Sequence, residues 1–164
     1  MRPQQDIEEA FDRYGDAVLR ACIAAGLSRA DAEDALQETF LKYATGRTPF
    51  LTESHRKAWL LRVAINGARD LQRRASNQDV PLEDADCPRP SRPEDEVSSG
   101  VCTRMDVAEA LRALSDDQRV AVLLALGEGY TAPEVARIMR KPTNTVYSLI
   151  TRGKRKLREV LGDE

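Results

Sequence analysis

The chain has 164 residues, of which 32% are charged and only 5% aromatic, and its 25 Lys and Arg against 27 Asp and Glu leave a net charge of -2. That length suits one ordinary domain or two small ones and excludes a large catalytic scaffold with a regulatory module attached. No apolar run approaches the roughly 20 residues of a membrane span, and the opening MRPQQDIEEAFDR is acidic without a secretory apolar segment, so a cytoplasmic protein with no membrane contact of its own is expected.

With aromatics scarce, the interior must come from Leu, Val, Ile and Ala, which favours helices. Ile7, Phe11, Tyr14, Val18 and Cys22 recur on one face of an opening helix. Ser28, with Asp31 three residues on, predicts the start of a second helix bearing Leu36, Phe40 and Tyr43, which Gly46 and Pro49 terminate. In its first turn Asp31, Glu33 and Asp34 oppose the positive end of the helix dipole. One turn later Gln37, Glu38 and Leu41 share an outer face, a mixed surface suited to a protein partner.

After the loop TGRTPFLTES a third helix is predicted from about His55 to Arg74, with Leu60, Ala64 and Leu71 as buried candidates. Arg62, Asn66, Arg69 and Arg73 recur along it at steps of four, three and four, with Asp70 and Arg74 alongside, so one face is cationic with an amide embedded in it. Beside Trp59 and Phe50 that stripe suits single-stranded nucleic acid, because aromatics stack on bases while arginines follow the backbone.

Residues 75–100, ASNQDVPLEDADCPRPSRPEDEVSSG, contain four prolines and few apolar residues and read as a flexible linker. Ser115 with Gln118 and Thr131 with Glu134 then form two capping boxes, predicting helices from about 116 and 132. Pro142 suits the first turn of a last helix. Val135, Ile138, Val146, Leu149 and Ile150 are spaced for two short helices to share one apolar seam, the pattern of a helix-turn-helix. Within PTNTVYSLITRGKRK, Thr143, Asn144, Tyr147 and Ser148 can exchange hydrogen bonds with base edges, and Arg152, Lys154, Arg155 and Lys156 can neutralise phosphates. The expected architecture is all-α: two small helical domains, residues 5–74 and 105–161, joined by a flexible acidic Pro-rich linker, residues 75–104, with the C-terminal domain a helix-turn-helix.

Charge is segregated in step with this division. Residues 1–40 hold four Arg against nine acids, and residues 47–74 hold seven basic residues against two acids. Residues 75–103 hold two Arg against seven acids, and residues 135–161 hold eight basic residues against Glu159 alone. Two basic surfaces alternating with acidic ones point to two separate anionic contacts. Cys22, Cys87 and Cys102 form no CxxC pair and His55 is the lone histidine, so no metal site is expected. No nucleophile with a base, acid-base pair or metal cluster is visible, so neither an enzyme nor a cofactor is expected.

Three stretches in this order resemble the extracytoplasmic function group of bacterial RNA polymerase sigma factors. DAEDALQETFLKYA resembles that group's core-polymerase-binding helix, KAWLLRVAINGARDLQRR its promoter-melting and minus-ten-reading helix, and EVARIMRKPTNTVYSLITRGKRKLREV its minus-thirty-five helix-turn-helix. The resemblance implies a factor that binds core RNA polymerase, directs it to promoter DNA and promotes opening, with an anti-sigma factor as a further partner. It places Asp34, Gln37 and Phe40 on the polymerase-binding helix beside Glu38 and Leu41. Asn66, Asp70, Arg73 and Arg74 fall in the minus-ten helix, and the loop from Thr45 to Ser54 is the one that captures an unstacked base. Thr143, Asn144, Thr145, Tyr147, Ser148 and Arg152 fall at the minus-thirty-five reading positions. The alternatives are a stand-alone helix-turn-helix regulator and a polymerase-binding adaptor that opens no DNA. Arg140 and Asn144 stand where the group often has Gly, and Gly153 stands where Ala is common, at about 1 kcal/mol in helix propensity.

Overall fold

A computed structural model describes residues 1–77 and 102–161. Every regular element among them is helical: α1 (Gln4–Ala24), α2 (Arg29–Thr45), α3 (Glu53–Asn77), α4 (Cys102–Arg112), α5 (Asp116–Val122), a π-helical turn (Leu123–Gly127), α6 (Ala132–Met139) and α7 (Thr143–Leu161). The chain divides into two compact units, Met1–Pro81 and Leu82–Glu164. At one end of the stretch read as linker, Ala75 to Asn77 continue α3; at the other, Cys102 to Arg104 open α4. The rest of that stretch, including Cys87, lies outside the described residues, as does the side chain of Cys102.

The first unit is a three-helix arrangement in which α1, α2 and α3 all pack on one another. The inner face of α1 is made of small residues, Ala10, Gly15, Ala17, Val18, Ala21, Cys22 and Ala24, which allow close approach. Of the five residues expected on that face, Val18 and Cys22 are fully buried, whereas Phe11 stays 46% exposed. On α3 the core positions are Leu60, Leu61, Ala64, Ile65 and Ala68, all fully buried. Each of the larger ones contributes roughly 1.5–3 kcal/mol by leaving water. Leu71, expected among them, is only half-buried. Burial also pushes the Cys22 thiol up to about 12.

Arg56 ties α1 to α3. Its guanidinium, 7% exposed, meets Asp6 at 2.9 Å and both Glu9 and Glu53 at 3.3 Å. Burial alone would lower its pKa, but the hydrogen bond to Glu9 and the charges of Glu53 and Asp6 outweigh that and raise it. Tyr43 donates to the same Asp6 carboxylate at 3.1 Å, and Tyr14 donates to Glu53 at 2.5 Å.

In the second unit both capping boxes form. Ser115 accepts from the Gln118 N–H while the Gln118 side chain accepts from the Ser115 N–H, and Thr131 and Glu134 repeat the arrangement. Helices of seven and eight residues are too short to persist alone, so these caps and the seam of Val135, Ile138, Met139 and Val146 hold them in place. The turn between α5 and α6 is a π-type closure, with Glu128 N–H donating to Leu123 C=O at 3.0 Å, followed by Gly129 at φ 81°. The turn into α7 keeps the left-handed geometry that favours glycine although its residue is Arg140, at φ 59° and ψ 48°. Lys141 N–H donates to Ala136 C=O at 3.0 Å, closing a Schellman-type helix end. Pro142 stands immediately before α7 rather than inside its first turn, and its carbonyl accepts from the Val146 N–H at 3.1 Å.

Gly153 has a packing role that helix propensity does not reveal. It is buried in α7, and a Cβ built there would lie 2.5 Å from Val122 Cγ2. Glycine is therefore what allows α7 to seat on α5, and its poor helix propensity is offset by that approach.

Candidate nucleic-acid interfaces

Three surfaces hold the residues singled out by sequence. On α3 the stripe of Arg62, Asn66, Arg69 and Arg73 faces away from the core residues Leu60, Leu61, Ala64, Ile65 and Ala68, as the helical period requires. Arg62, Asn66 and Arg69 are half-buried, and Asp70, Arg73 and Arg74 are exposed. Asp70 meets Arg73 at 3.5 Å.

At the upstream end of the stripe lies an aromatic cluster. Trp59, half-buried, sits 6.2 Å from the Tyr43 ring and 5.7 Å from Phe50, which itself stacks on Tyr43 at 6.0 Å. Residues 46–52 have no regular structure and bridge α2 to α3 over this cluster. Gly46 begins the loop where a Cβ would fall 2.9 Å from the Lys42 carbonyl oxygen. Thr52 ends it by accepting the His55 N–H at 3.1 Å, and Leu51 at the rim is 89% exposed. An open cavity of about 380 Å³ lies here, lined by Arg2, Asp6, Tyr43, Phe50, Leu51 and Arg56 among others. Desolvation, then the hydrogen bond to Asp6, raises the Tyr43 pKa, so its hydroxyl stays protonated at neutral pH.

The outer face of α2 presents Asp34, Gln37, Glu38 and Leu41, with Leu41 58% exposed. Phe40 does not join them. It is 6% exposed, with its ring edge-on to Phe11 at 5.1 Å and to Tyr43 at 6.2 Å, so it supports the face from beneath. Phe11, read from periodicity as core, instead adds apolar surface beside Phe40.

On α7, Val146 and Gly153 mark the buried side, and Asn144, Thr145, Tyr147, Ser148, Arg152 and Arg155 are exposed. Thr143 and Lys154 are half-buried at the flanks. Tyr147, Ser148, Thr151, Arg152 and Arg155 line a shallow depression of about 220 Å³. Thr151 was missed in the sequence, although it lies four residues from both Tyr147 and Arg155 and so shares their face. Lys156, counted there among the phosphate-neutralising residues, turns back onto the unit and donates to the Ala113 carbonyl at 3.3 Å. Lys141 likewise pairs with Asp117 at 3.2 Å. Among the described residues no group of three or more metal-ligating side chains comes together, and no helix is long and apolar enough to cross a membrane.

Comparison with known proteins finds two matched regions in chain order. Residues 10–78 match Sigma-70 region 2 and residues 104–157 match Sigma-70, region 4. The ECF RNA polymerase sigma factor SigM of Mycobacterium tuberculosis is 30% identical over 156 residues, covering 94% of this chain and 76% of that protein. The RNA polymerase sigma factor CarQ of Myxococcus xanthus is 31% identical over 162 residues, covering 98% and 91%. In fold, the chain is similar to the sigma factor RpoE of Bartonella quintana, solved in complex with the anti-sigma factor NepR, at a TM-score of 0.71 and 24% identity over 98% of this chain and 99% of that one. With both Sigma-70 regions present in order and near-full-length relatives of this similarity, the chain belongs to the ECF family of RNA polymerase sigma factors, which direct the polymerase to promoters.

Proposed function

We propose that this sigma factor binds core RNA polymerase through the outer face of α2, using Asp34, Gln37, Glu38 and Leu41 over the buried support of Phe40. The α3 stripe, Arg62, Asn66, Arg69 and Arg73 with Asp70 and Arg74, engages the opened minus-ten region, where Trp59 and the loop of residues 46–52, within the predicted stretch from Thr45 to Ser54, hold an unstacked base. The exposed face of α7 reads the minus-thirty-five element. Asn144, Tyr147 and Ser148 face base edges from the N-terminal half, with Thr143 and Thr145 beside them, and Arg152, Lys154 and Arg155 follow on phosphates. The observation that supports this reading most is the sorting along α7: uncharged hydrogen-bonding side chains are exposed near its start, and exposed arginines follow on the same side.

The protein works without catalysis. Binding energy gathered on duplex upstream and on single strand downstream favours the opened promoter over the closed one, which is a coupling of equilibria. Its place of action is the cytoplasm, and an anti-sigma factor that covers one or both surfaces keeps it idle.

The test is transcription and permanganate footprinting with purified chain and core polymerase on promoters selected from a genomic library. Thymine reactivity around minus ten is expected only when both proteins are present. Specific duplex binding by the chain alone, with no opening in the mixture, would refute the reading.

A further inference from the structure

The first residues of the chain reach across to the base-capture loop, and nothing in the three motif stretches accounts for this. Arg2 N–H donates to Ala44 C=O at 2.9 Å, its Nε donates to Tyr43 C=O at 2.9 Å, and its Nη2 donates to Thr48 C=O at 2.5 Å. The guanidinium carbon lies 4.4 Å from the Tyr43 ring centroid and 5.0 Å from that of Phe50. Arg2 also approaches Asp6 at 3.9 Å.

These contacts have two physical effects. The carbonyls of Tyr43 and Ala44 belong to the last turn of α2, where helical partners are lacking; the Arg2 backbone N–H satisfies the Ala44 acceptor, and the guanidinium satisfies that of Tyr43 at the negative end of the dipole. The same planar group then bridges onward to Thr48 in the loop while lying on Tyr43 and Phe50. Only a guanidinium combines several fixed donors with a stacking face. The loop is otherwise tethered at its ends, by Gly46 N–H donating to Lys42 C=O and by Thr52 capping α3, with Phe50 resting on the aromatic cluster. Arg2 is the brace at its middle.

We propose that Arg2 is a positioning residue for minus-ten recognition: it fixes the 46–52 loop over the Tyr43–Phe50–Trp59 cluster in the geometry that accepts an unstacked promoter base. The proposal rests on the reading of that loop as the base-capturing element. Without the brace the loop spends part of its time in other conformations, and apparent affinity for the captured base falls by the fraction lost, about fivefold if one-fifth of the population stays competent.

The experiment compares wild type, Arg2→Ala, Arg2→Lys and Leu51→Ala, each assembled with core polymerase. The probe is a pool of single-stranded oligonucleotides with a randomised six-nucleotide core, sequenced before and after binding. Arg2→Ala and Arg2→Lys are both expected to flatten preference at one base position, the position that Leu51→Ala also alters, while duplex minus-thirty-five binding is unchanged. Trp59 is the sole tryptophan, so acrylamide quenching of its emission in the free chain reports loop opening, and quenching should rise in both Arg2 variants. If Leu51→Ala changes the preference and the Arg2 variants do not, the role of Arg2 is overturned and base capture by the loop stands. If none of the variants changes it, base capture by the loop fails and the role of Arg2 fails with it. Full retention of preference by Arg2→Lys would show that charge alone suffices, and sharper preference in Arg2→Ala would show a plug; either overturns the brace.

Discussion

Replacing Gly153 by Ala tests whether the seating of α7 depends on the missing Cβ. The new methyl would lie 2.5 Å from Val122 Cγ2, against about 3.5–4.0 Å for an unstrained carbon contact. Val122 is 4% exposed in α5 and, being β-branched, has little rotamer freedom in a helix, so the helices must move apart. Overpacking of this kind costs about 1–3 kcal/mol, whereas the gain in helix propensity is about 1 kcal/mol. A net loss of about 1 kcal/mol is expected, equivalent to about 4–8 °C in the melting temperature of a small domain. The assay is urea denaturation of the full chain with hydrogen exchange read at the α5 and α7 amides, alongside Val122→Ala and the double variant. In the Val122→Ala background the clash is gone, so Gly153→Ala should become neutral or stabilising there, a coupling of about 1–3 kcal/mol. A Gly153→Ala protein at least as stable as wild type, or an equal loss in both backgrounds, would refute the reasoning.

Four further outcomes are expected. Arg140→Gly should raise stability by about 1 kcal/mol in thermal denaturation, because a side chain at φ 59° is relieved; Arg140→Ala should give no such gain. Arg155→Ala should weaken duplex binding across all sequences and reduce the slope of log affinity against log salt by about 1, measured by fluorescence anisotropy. Tyr147→Ala or Asn144→Ala should instead change which base is preferred, by about 1–3 kcal/mol of discrimination in a competition assay. The Cys22 thiol, raised from 9.0 to about 12, keeps its proton in the folded state while the unfolded chain loses its own. Stability should therefore fall as pH rises from 9 towards 12, by up to about 1.4 kcal/mol per pH unit, and Cys22→Ala should flatten that part of the curve.

What the sequence disclosed follows the range of each interaction. The two capping boxes span three residues each and were readable because donor and acceptor are neighbours on the chain. The stripe on α3 and the exposed face of α7 were readable because helical period alone sets which residues share a side. Pairings across the fold were not. Phe11 has the apolar character of a core residue, yet α1 packs through Ala10, Ala17 and Ala21, and the larger ring is left at the edge. The need for Gly153 arises from a valine 31 positions away, and Lys156 is drawn from the group expected to meet phosphates onto a carbonyl at position 113. Arg140 departs from the glycine common in the group; that it keeps the left-handed turn, rather than forcing another, depends on the Ala136 carbonyl that accepts the Lys141 N–H.

Only two of the 19 residues in α7, Val146 and Gly153, are buried, and they are seven positions apart. Seven residues are about two helical turns, so the anchors lie nearly in line and the outward side between them is under little demand from folding. Substitutions at the exposed positions 144, 147, 148 and 151 are therefore expected to leave the stability of the unit unchanged. The helix thus confines the demands of packing to one narrow line and leaves its outward side free to differ without loss of the fold.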